Sequence, residues 1–265
     1  MIPKIALTIA GSDPGGGAGL QVDLKIFAAL GVYGYSAVTA ITAQNSTRID
    51  RIDLVAPAMV AAQIAAVAAE RKPDAIKTGA LINAAIVEAV ADTIEQLNLP
   101  APVVDPVLIA SSGVRLLDDA GELALRSRLI PIAIVVTPNI PEAEALSGIT
   151  IRDADGMREA ALAIHRIGAR AVVIKGGHPF SGSSAFPATA DDLFYDGKRF
   201  IVLEGKRIAE ASIHGSGCIF SAAIAAHLAR GDELELAIRA AKSVIESAIR
   251  NRVRLGHGRD VLGSI

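Results

Sequence analysis

Short β-branched runs alternate with alanine-rich stretches along most of this chain, and that alternation restricts the fold more than any other feature. Ile5 to Ile9, Ser36 to Thr42, Ala75 to Thr78, Val103 to Val107, Ile134 to Thr137 and Ala171 to Lys175 read as strands. Most are apolar throughout rather than alternating, as parallel strands covered on both faces should be. Gly19 to Leu30, Pro57 to Glu70, Asn83 to Leu97, Asp118 to Leu129 and Asp153 to Ile167 read as helices, with Pro57 and Asn83 as starts and Gly31 and Gly168 as stops. Strand, helix, strand in that order predicts βαβ units: an α/β fold with three αβα layers and a mostly parallel, doubly wound sheet.

After Lys175 the pattern changes. His178 to Asp191 is rich in Ser, Gly, Pro and Ala and reads as a loop that can close over a site as a lid. Asp192 to Leu203 holds two strand-like runs around Asp196-Gly197, a hairpin signal, and two helices follow over Gly217 to Ala229 and Glu233 to Arg250. No repeat or linker interrupts the chain, so residues 1–265 are expected to form one domain.

Composition narrows the function. The formal net charge of −2 leaves no basic surplus for a phosphate backbone, so nucleic acid is not an expected partner. No stretch reads as a bilayer span, and Met1 to Ala10 reads as a first strand rather than a signal segment. Cys218 is the single cysteine, which excludes an internal disulfide framework and fits a reducing cytoplasm.

Six places carry residues suited to chemistry. Gly11-Ser12-Asp13-Pro14-Gly15-Gly16-Gly17-Ala18-Gly19 follows a strand and opens a helix. It lacks the Lys-Ser/Thr of a P-loop and the third glycine of the dinucleotide fingerprint, but it lets backbone approach a ligand. Asp23 lies one turn into that helix and can point back to the strand ends. Thr42-Ala43-Gln44-Asn45 closes an apolar strand with an amide that can read a heteroaromatic edge. Asp105 stands at a strand's carboxyl end, where open α/β sheets bind ligands, although a capping role is the alternative. Asn139 and Glu142, after Thr137-Pro138, suit Mg²⁺ with its retained waters, and they equally suit a capping box. Lys175 before two glycines can reach a phosphate, or can simply end a strand.

The last and strongest is His214-Gly215-Ser216-Gly217-Cys218, leading into a helix. Gly-x-Gly at a helix start presents free N–H groups at the positive dipole end, a preformed anion site. The same field favours a thiolate at Cys218. His214 precedes the turn and is expected to brace it.

Taken together, and in order, these elements resemble the hydroxymethylpyrimidine/phosphomethylpyrimidine kinases of thiamine biosynthesis, within the ribokinase-like superfamily. The resemblance implies phosphorylation of 4-amino-5-hydroxymethyl-2-methylpyrimidine, and then of its monophosphate, with ATP as co-substrate and Mg²⁺ as cofactor. It implies that Gly11, Ala18, Asp23, Gln44 and Val107 line the pyrimidine pocket, with Ala80 beside them. Asp105 and Glu142 would organise Mg²⁺ through water, Asn139, Glu142 and Lys175 would meet the nucleotide, and Gly215, Ser216 and Gly217 would form the anion hole. Cys218 stands where sugar kinases of the superfamily carry a catalytic Asp, and it would either take the hydroxyl proton or hold the hydroxyl in place. A homodimer is the carried-over assembly.

The chain departs from the family pattern at Ser216, usually Thr, at Ala80, often Met, and at Ser46-Thr47-Arg48. A small Ala80 leaves a roomier pocket, which keeps pyridoxal kinase of the same Cys-bearing branch as a rival. A non-catalytic ligand-binding protein on the same fold and a thiol enzyme using Cys218 covalently are the rivals from other classes.

Overall fold

The computed structural model describes residues 2–110, 112–183, 188–208 and 213–263. The strands are β1 (Ile5–Ser12), β2 (Tyr33–Gln44), β3 (Ile49–Leu54), β4 (Ala75–Thr78), β5 (Val103–Val104), β6 (Val135–Val136), β7 (Val172–Ile174), β8 (Asp192–Tyr195) and β9 (Phe200–Leu203). They form one sheet in the order β3-β2-β1-β4-β5-β6-β7-β8-β9. The six from β2 to β7 in that order run parallel, while β3 at one edge and β8 and β9 at the other pair antiparallel.

The helices are α1 (Gly19–Ala29), α2 (Pro57–Glu70), α3 (Ala84–Gln96), α4 (Asp119–Ala124), α5 (Ile140–Ser147), α6 (Ala154–Ile167), α7 (Ser216–Arg230) and α8 (Leu234–Arg250). Two buried clusters show how they are layered. On one face, the strand residues Leu7, Ile76, Val104 and Val136 join α2, α3, α5 and α6 through Ile64, Ile86, Ala143 and Ile164. Their neighbours along the same strands, Ala6, Ala75, Val103 and Val135, pack instead on α1, α7 and α8 through Phe27, Ile224 and Ile238. The period of two thus sends each strand's side chains to both helical layers, and the apolar strand runs follow from that.

Several expected elements differ in extent. The run to Val107 pairs only over Val103–Val104, because Pro106 has no N–H to give a ladder and Val107 N–H turns back to the Asp105 carbonyl at 2.9 Å. The helix expected over Asp118 to Leu129 is α4, capped by the Asp118 carboxylate on Gly121 N–H, continued by a π-turn over Leu125–Leu129. β3 and α5 have no counterpart in the expected set. Four residues of the expected lid, 184–187, lie outside the described residues.

The chain leaves β1 in one direction to β2 and in the other to β4. A crevice at the carboxyl ends follows from such a reversal. The ends of β1, β4, β5, β6 and β7, and the N-terminus of α7, meet there. Among the described residues, no helix is long and apolar enough to cross a membrane.

Candidate active site

Gly215 caps α7 at φ 80°, a left-handed conformation that glycine adopts without strain. The first i to i−4 bond of α7 runs from Ile219 N–H to Gly215 O at 2.9 Å, so the amides of Ser216, Gly217 and Cys218 have no acceptor within the helix. Gly217 lies against two charged groups. A Cβ there would sit 3.0 Å from Lys175 Nζ and 3.6 Å from Asp105 Oδ2.

The charged groups hold one another. Lys175 Nζ donates to Asp105 Oδ1 at 3.1 Å, and Ser221 Oγ, one turn into α7, donates to Asp105 Oδ2 at 3.2 Å. Asp105 thus serves the lysine and the serine rather than a helix end. Asn139 and Glu142 form a full capping box on α5: Glu142 N–H donates to Asn139 Oδ1 at 2.9 Å, and Asn139 N–H donates to Glu142 Oε2 at 2.8 Å. Burial pushes Glu142 upward, Lys175 pulls it back, Asp105 adds to the rise, and the result is about 7.

These two carboxylates fit Mg²⁺. Their mutual repulsion, with one carboxyl partly protonated near neutrality, is what a divalent cation relieves. Among the described residues, no three His, Cys, Asp or Glu side chains are grouped to hold an ion by themselves. Water and phosphate oxygens would complete the shell, as Mg²⁺ prefers.

The ring side of the crevice is built by β1, β2 and the glycine-rich turn. Gly11 is buried, and a Cβ on it would meet Ala80 Cβ at 3.9 Å. Ala18 abuts Gly215, its Cβ 3.1 Å from where a Gly215 Cβ would stand. Asp13 ties this side together. Its carboxylate accepts from Gly15 N–H at 2.8 Å, Gly17 N–H at 3.1 Å and Ala18 N–H at 2.9 Å. It also accepts from His214 Nε2 at 3.1 Å. Burial alone would raise Asp13, but the polar groups of His214, Gln44 and Gly15 outweigh it and lower it to about 2. His214 therefore braces the turn: its ring fills the place a Gly17 Cβ would take, 2.7 Å from Cδ2. Val107 is half-buried, three residues past the end of β5.

Two expectations are corrected. Asp23 is not at the pocket wall. It is fully buried, accepting from Thr8 Oγ1 at 2.6 Å and Lys77 Nζ at 2.8 Å, because a carboxylate without solvent needs a cation and donors. Cys218 does not rest as a thiolate. Burial pushes its thiol up, Lys77 opposes, Asp105 and Asp23 reinforce the rise, and the value reaches about 12. Loss of hydration and two nearby anions outweigh the dipole of α7.

Sequence reasoning assigns no role to Lys77, Asp13 or Ser221. Lys77 carries a signal: a lysine inside a short, otherwise buried strand requires an internal anion. The signal at Asp13 is an Asp two residues before a glycine, which favours a side-chain-to-backbone turn.

The phosphomethylpyrimidine kinase family profile matches residues 13–262. A hydroxymethylpyrimidine/phosphomethylpyrimidine kinase of Synechococcus elongatus is 45% identical over 267 residues, covering 99% of this chain and 98% of that protein. The thiamine biosynthesis bifunctional protein ThiED of Geobacter sulfurreducens is 46% identical over 95% of this chain, which spans 50% of that protein's length. The crystal structure of an ADP complex of Bacillus subtilis pyridoxal kinase superposes with a TM-score of 0.89 at 39% identity, covering 99% of this chain and 98% of that one.

Proposed function

Because the chain belongs to the phosphomethylpyrimidine kinase family, we propose that it is an ATP- and Mg²⁺-dependent kinase of one ribokinase-like domain. Its substrates are 4-amino-5-hydroxymethyl-2-methylpyrimidine and then the monophosphate, in thiamine biosynthesis. A cytoplasmic homodimer is the form carried over with the family.

The observation that carries this reading is Gly217 at the amino end of α7, set against both Lys175 Nζ and Asp105. Free amides and a lysine there face the charge that gathers on a transferred phosphoryl group, and such preorganised donors supply much of catalysis. The hydroxymethyl oxygen attacks the γ-phosphorus, ADP leaves, and the hydroxyl proton is released. Lys175 and the amides of Ser216 and Gly217 bind and orient the phosphoryl oxygens. Asp105 and Glu142 would hold Mg²⁺ through water, and the ion would supply neutralising charge on the phosphates. Asn139, which caps α5, keeps Glu142 facing that place. Gln44, Gly11, Ala18, Ala80 and Val107 form the ring side. Cys218, a thiol at rest, positions the hydroxymethyl group, since a loose transition state needs no strong base.

The test measures ADP release with the hydroxymethylpyrimidine and with pyridoxal in parallel. ATP turnover that depends on the pyrimidine supports the reading. Turnover that depends only on pyridoxal would transfer the chain to the activity for which its Bacillus subtilis neighbour is named, and the small Ala80 is the feature that favours that outcome. Turnover indifferent to both rings would sink it.

A further inference from the structure

Lys175 is the cation set against Gly217 of the anion turn, and its backbone is held on both sides. Its own N–H donates to the Pro138 carbonyl at 2.8 Å, just past the end of β6. The next N–H, that of Gly176, donates to Asp192 Oδ1 at 2.9 Å. Both peptide planes that flank the Lys175 Cα are therefore tied down, which fixes its two soft dihedrals and the direction of its Cα–Cβ bond. The ladder between β7 and β8 ends at Ile174 opposite Leu193, so past that point a side chain takes over from the backbone. The strands run so close there that a Cβ on Gly176 would fall on the Asp191 carbonyl oxygen.

Asp192 is 6% exposed, and a carboxylate with so little water needs a cation. Lys242 supplies it from α8: its Nζ donates to Asp192 Oδ2 at 2.7 Å and also to the Ala190 carbonyl. The lysine side chain is itself mostly buried. The neighbouring Asp191 anchors the same stretch to a different segment. Its Oδ1 accepts from Gly205 N–H and its Oδ2 from Thr189 Oγ1, both at 2.8 Å. The entry to β8 is thus tied to α8 and to the exit of β9, and the Gly176 amide hangs on that assembly.

We propose that Asp192 and Lys242 are positioning residues for the nucleotide: Asp192, neutralised by Lys242, holds the Gly176 amide and thereby aims Lys175 at the phosphoryl group. The inference rests on the kinase reading above and deepens it on the nucleotide side of the site. The Lys175 ammonium itself bonds to Asp105 Oδ1 at 3.1 Å and lies beside Gly217, so the pair acts on the backbone that carries it. A lysine stem has much rotamer freedom to lose when its ammonium meets a phosphate. A Cα–Cβ bond already held in direction lowers that cost, which is how preorganisation raises affinity.

The test compares two paired replacements, both of which remove the two buried charges together, so that neither leaves an unpartnered ion. The first, Asp192→Asn with Lys242→Met, keeps a carbonyl oxygen for the Gly176 N–H. The second, Asp192→Leu with Lys242→Met, removes it. Dissociation constants for AMP-PCP with Mg²⁺, and separately for the hydroxymethylpyrimidine, are measured by calorimetry. The second pair is expected to bind AMP-PCP about 10-fold more weakly than the first, the scale of one lost hydrogen bond, with the pyrimidine constant unchanged. In a Lys175→Met background the difference between the pairs is expected to vanish, because residues that act through one another are not additive. Equal AMP-PCP affinity in the two pairs overturns the proposal. So does a difference that persists without Lys175, or a weakening of both ligands together, which a merely structural loosening would give. Should the second pair not fold, Asp192→Ser with Lys242→Met takes its place, since that side chain is too short to reach Gly176 and leaves room for water. A wild type that binds no AMP-PCP would remove the kinase reading, and the inference with it. Equal pairs beside a wild type that turns over ATP would remove the inference alone.

Discussion

Lys77 Nζ lies 2.8 Å from Asp23 Oδ2, and neither side chain has any exposure to solvent. Thr8, which pairs with Lys77 across β1 and β4, donates to the same oxygen. Burial disfavours the ammonium, yet Asp23 overcomes that and raises the lysine, so it keeps its proton. Removing one partner leaves an uncompensated buried charge. Lys77→Met is therefore expected to cost about 3–5 kcal/mol, while Lys77→Met combined with Asp23→Asn costs much less, since paired neutral replacements are often close to neutral. Urea unfolding of the wild type, the single and the double variant checks this. A double variant as unstable as the single one would show that Asp23 and Lys77 do not act as a pair.

Gly215 and Gly217 are both glycines of the anion turn, but they should respond differently to alanine. At Gly215, φ is 80° and the added Cβ would fall on the Gly17 carbonyl oxygen and crowd Ala18. Gly215→Ala is expected to lower stability by about 2–4 kcal/mol through strain at a special backbone position. Gly217 has helical geometry, and its Cβ would meet only the flexible end of Lys175 at 3.0 Å and Asp105 beyond. Gly217→Ala should keep the melting temperature within a few degrees while kcat falls by about 100-fold, the size of a lost oxyanion donor. Thermal melts and steady-state kinetics on the two variants separate them.

Most of the layering was legible because the strands are apolar on both faces and the helices carry their own start signals. Pro57, the Asn83 cap and the Asp153 cap stand where α2, α3 and α6 begin. The Asn139 and Glu142 spacing announced the capping box before the helix it caps. β3 was not legible: Ile49, Ile52 and Leu54 are separated by Asp and Arg, and the strand exists by pairing with β2 at an edge rather than by burial. The state of Cys218 was not legible either. Sequence shows the helix start that favours a thiolate, whereas Lys77, Asp23 and Asp105 arrive from β4, α1 and the end of β5, and only the fold brings those charges near the sulfur. Asp23 was misplaced for the same reason, since its partner stands 54 residues away.

The protonated state of Cys218 gives a chemical prediction. With the thiol at about 12 against an ordinary value of 9.0, iodoacetamide should alkylate Cys218 about 1,000-fold more slowly at pH 8 than it alkylates a free thiol, a factor of ten per unit. Because the residue then positions rather than deprotonates, Cys218→Ser should retain more of kcat than Cys218→Ala. Rapid alkylation at pH 8 would restore the thiolate reading, and equal kcat in the two variants would remove the positioning role.

Glu142 and Asp13 should leave opposite marks on stability as pH changes. Glu142 has an ordinary value of 4.5 and stands at about 7 in the folded protein. Between those values the folded state binds more protons than the unfolded state, so stability falls as pH rises from about 4.5 to about 7 and levels off above it. Asp13 runs the other way. Its ordinary value is 3.8 and its folded value about 2, so its contribution is present above about pH 4 and lost as pH falls toward about 2. Urea unfolding from about pH 3 to about pH 8 should show both limbs. Glu142→Gln, which cannot ionise, should flatten the decline between about pH 5 and about pH 7 and leave the acid limb in place. A decline of unchanged slope in Glu142→Gln would assign the proton to another group.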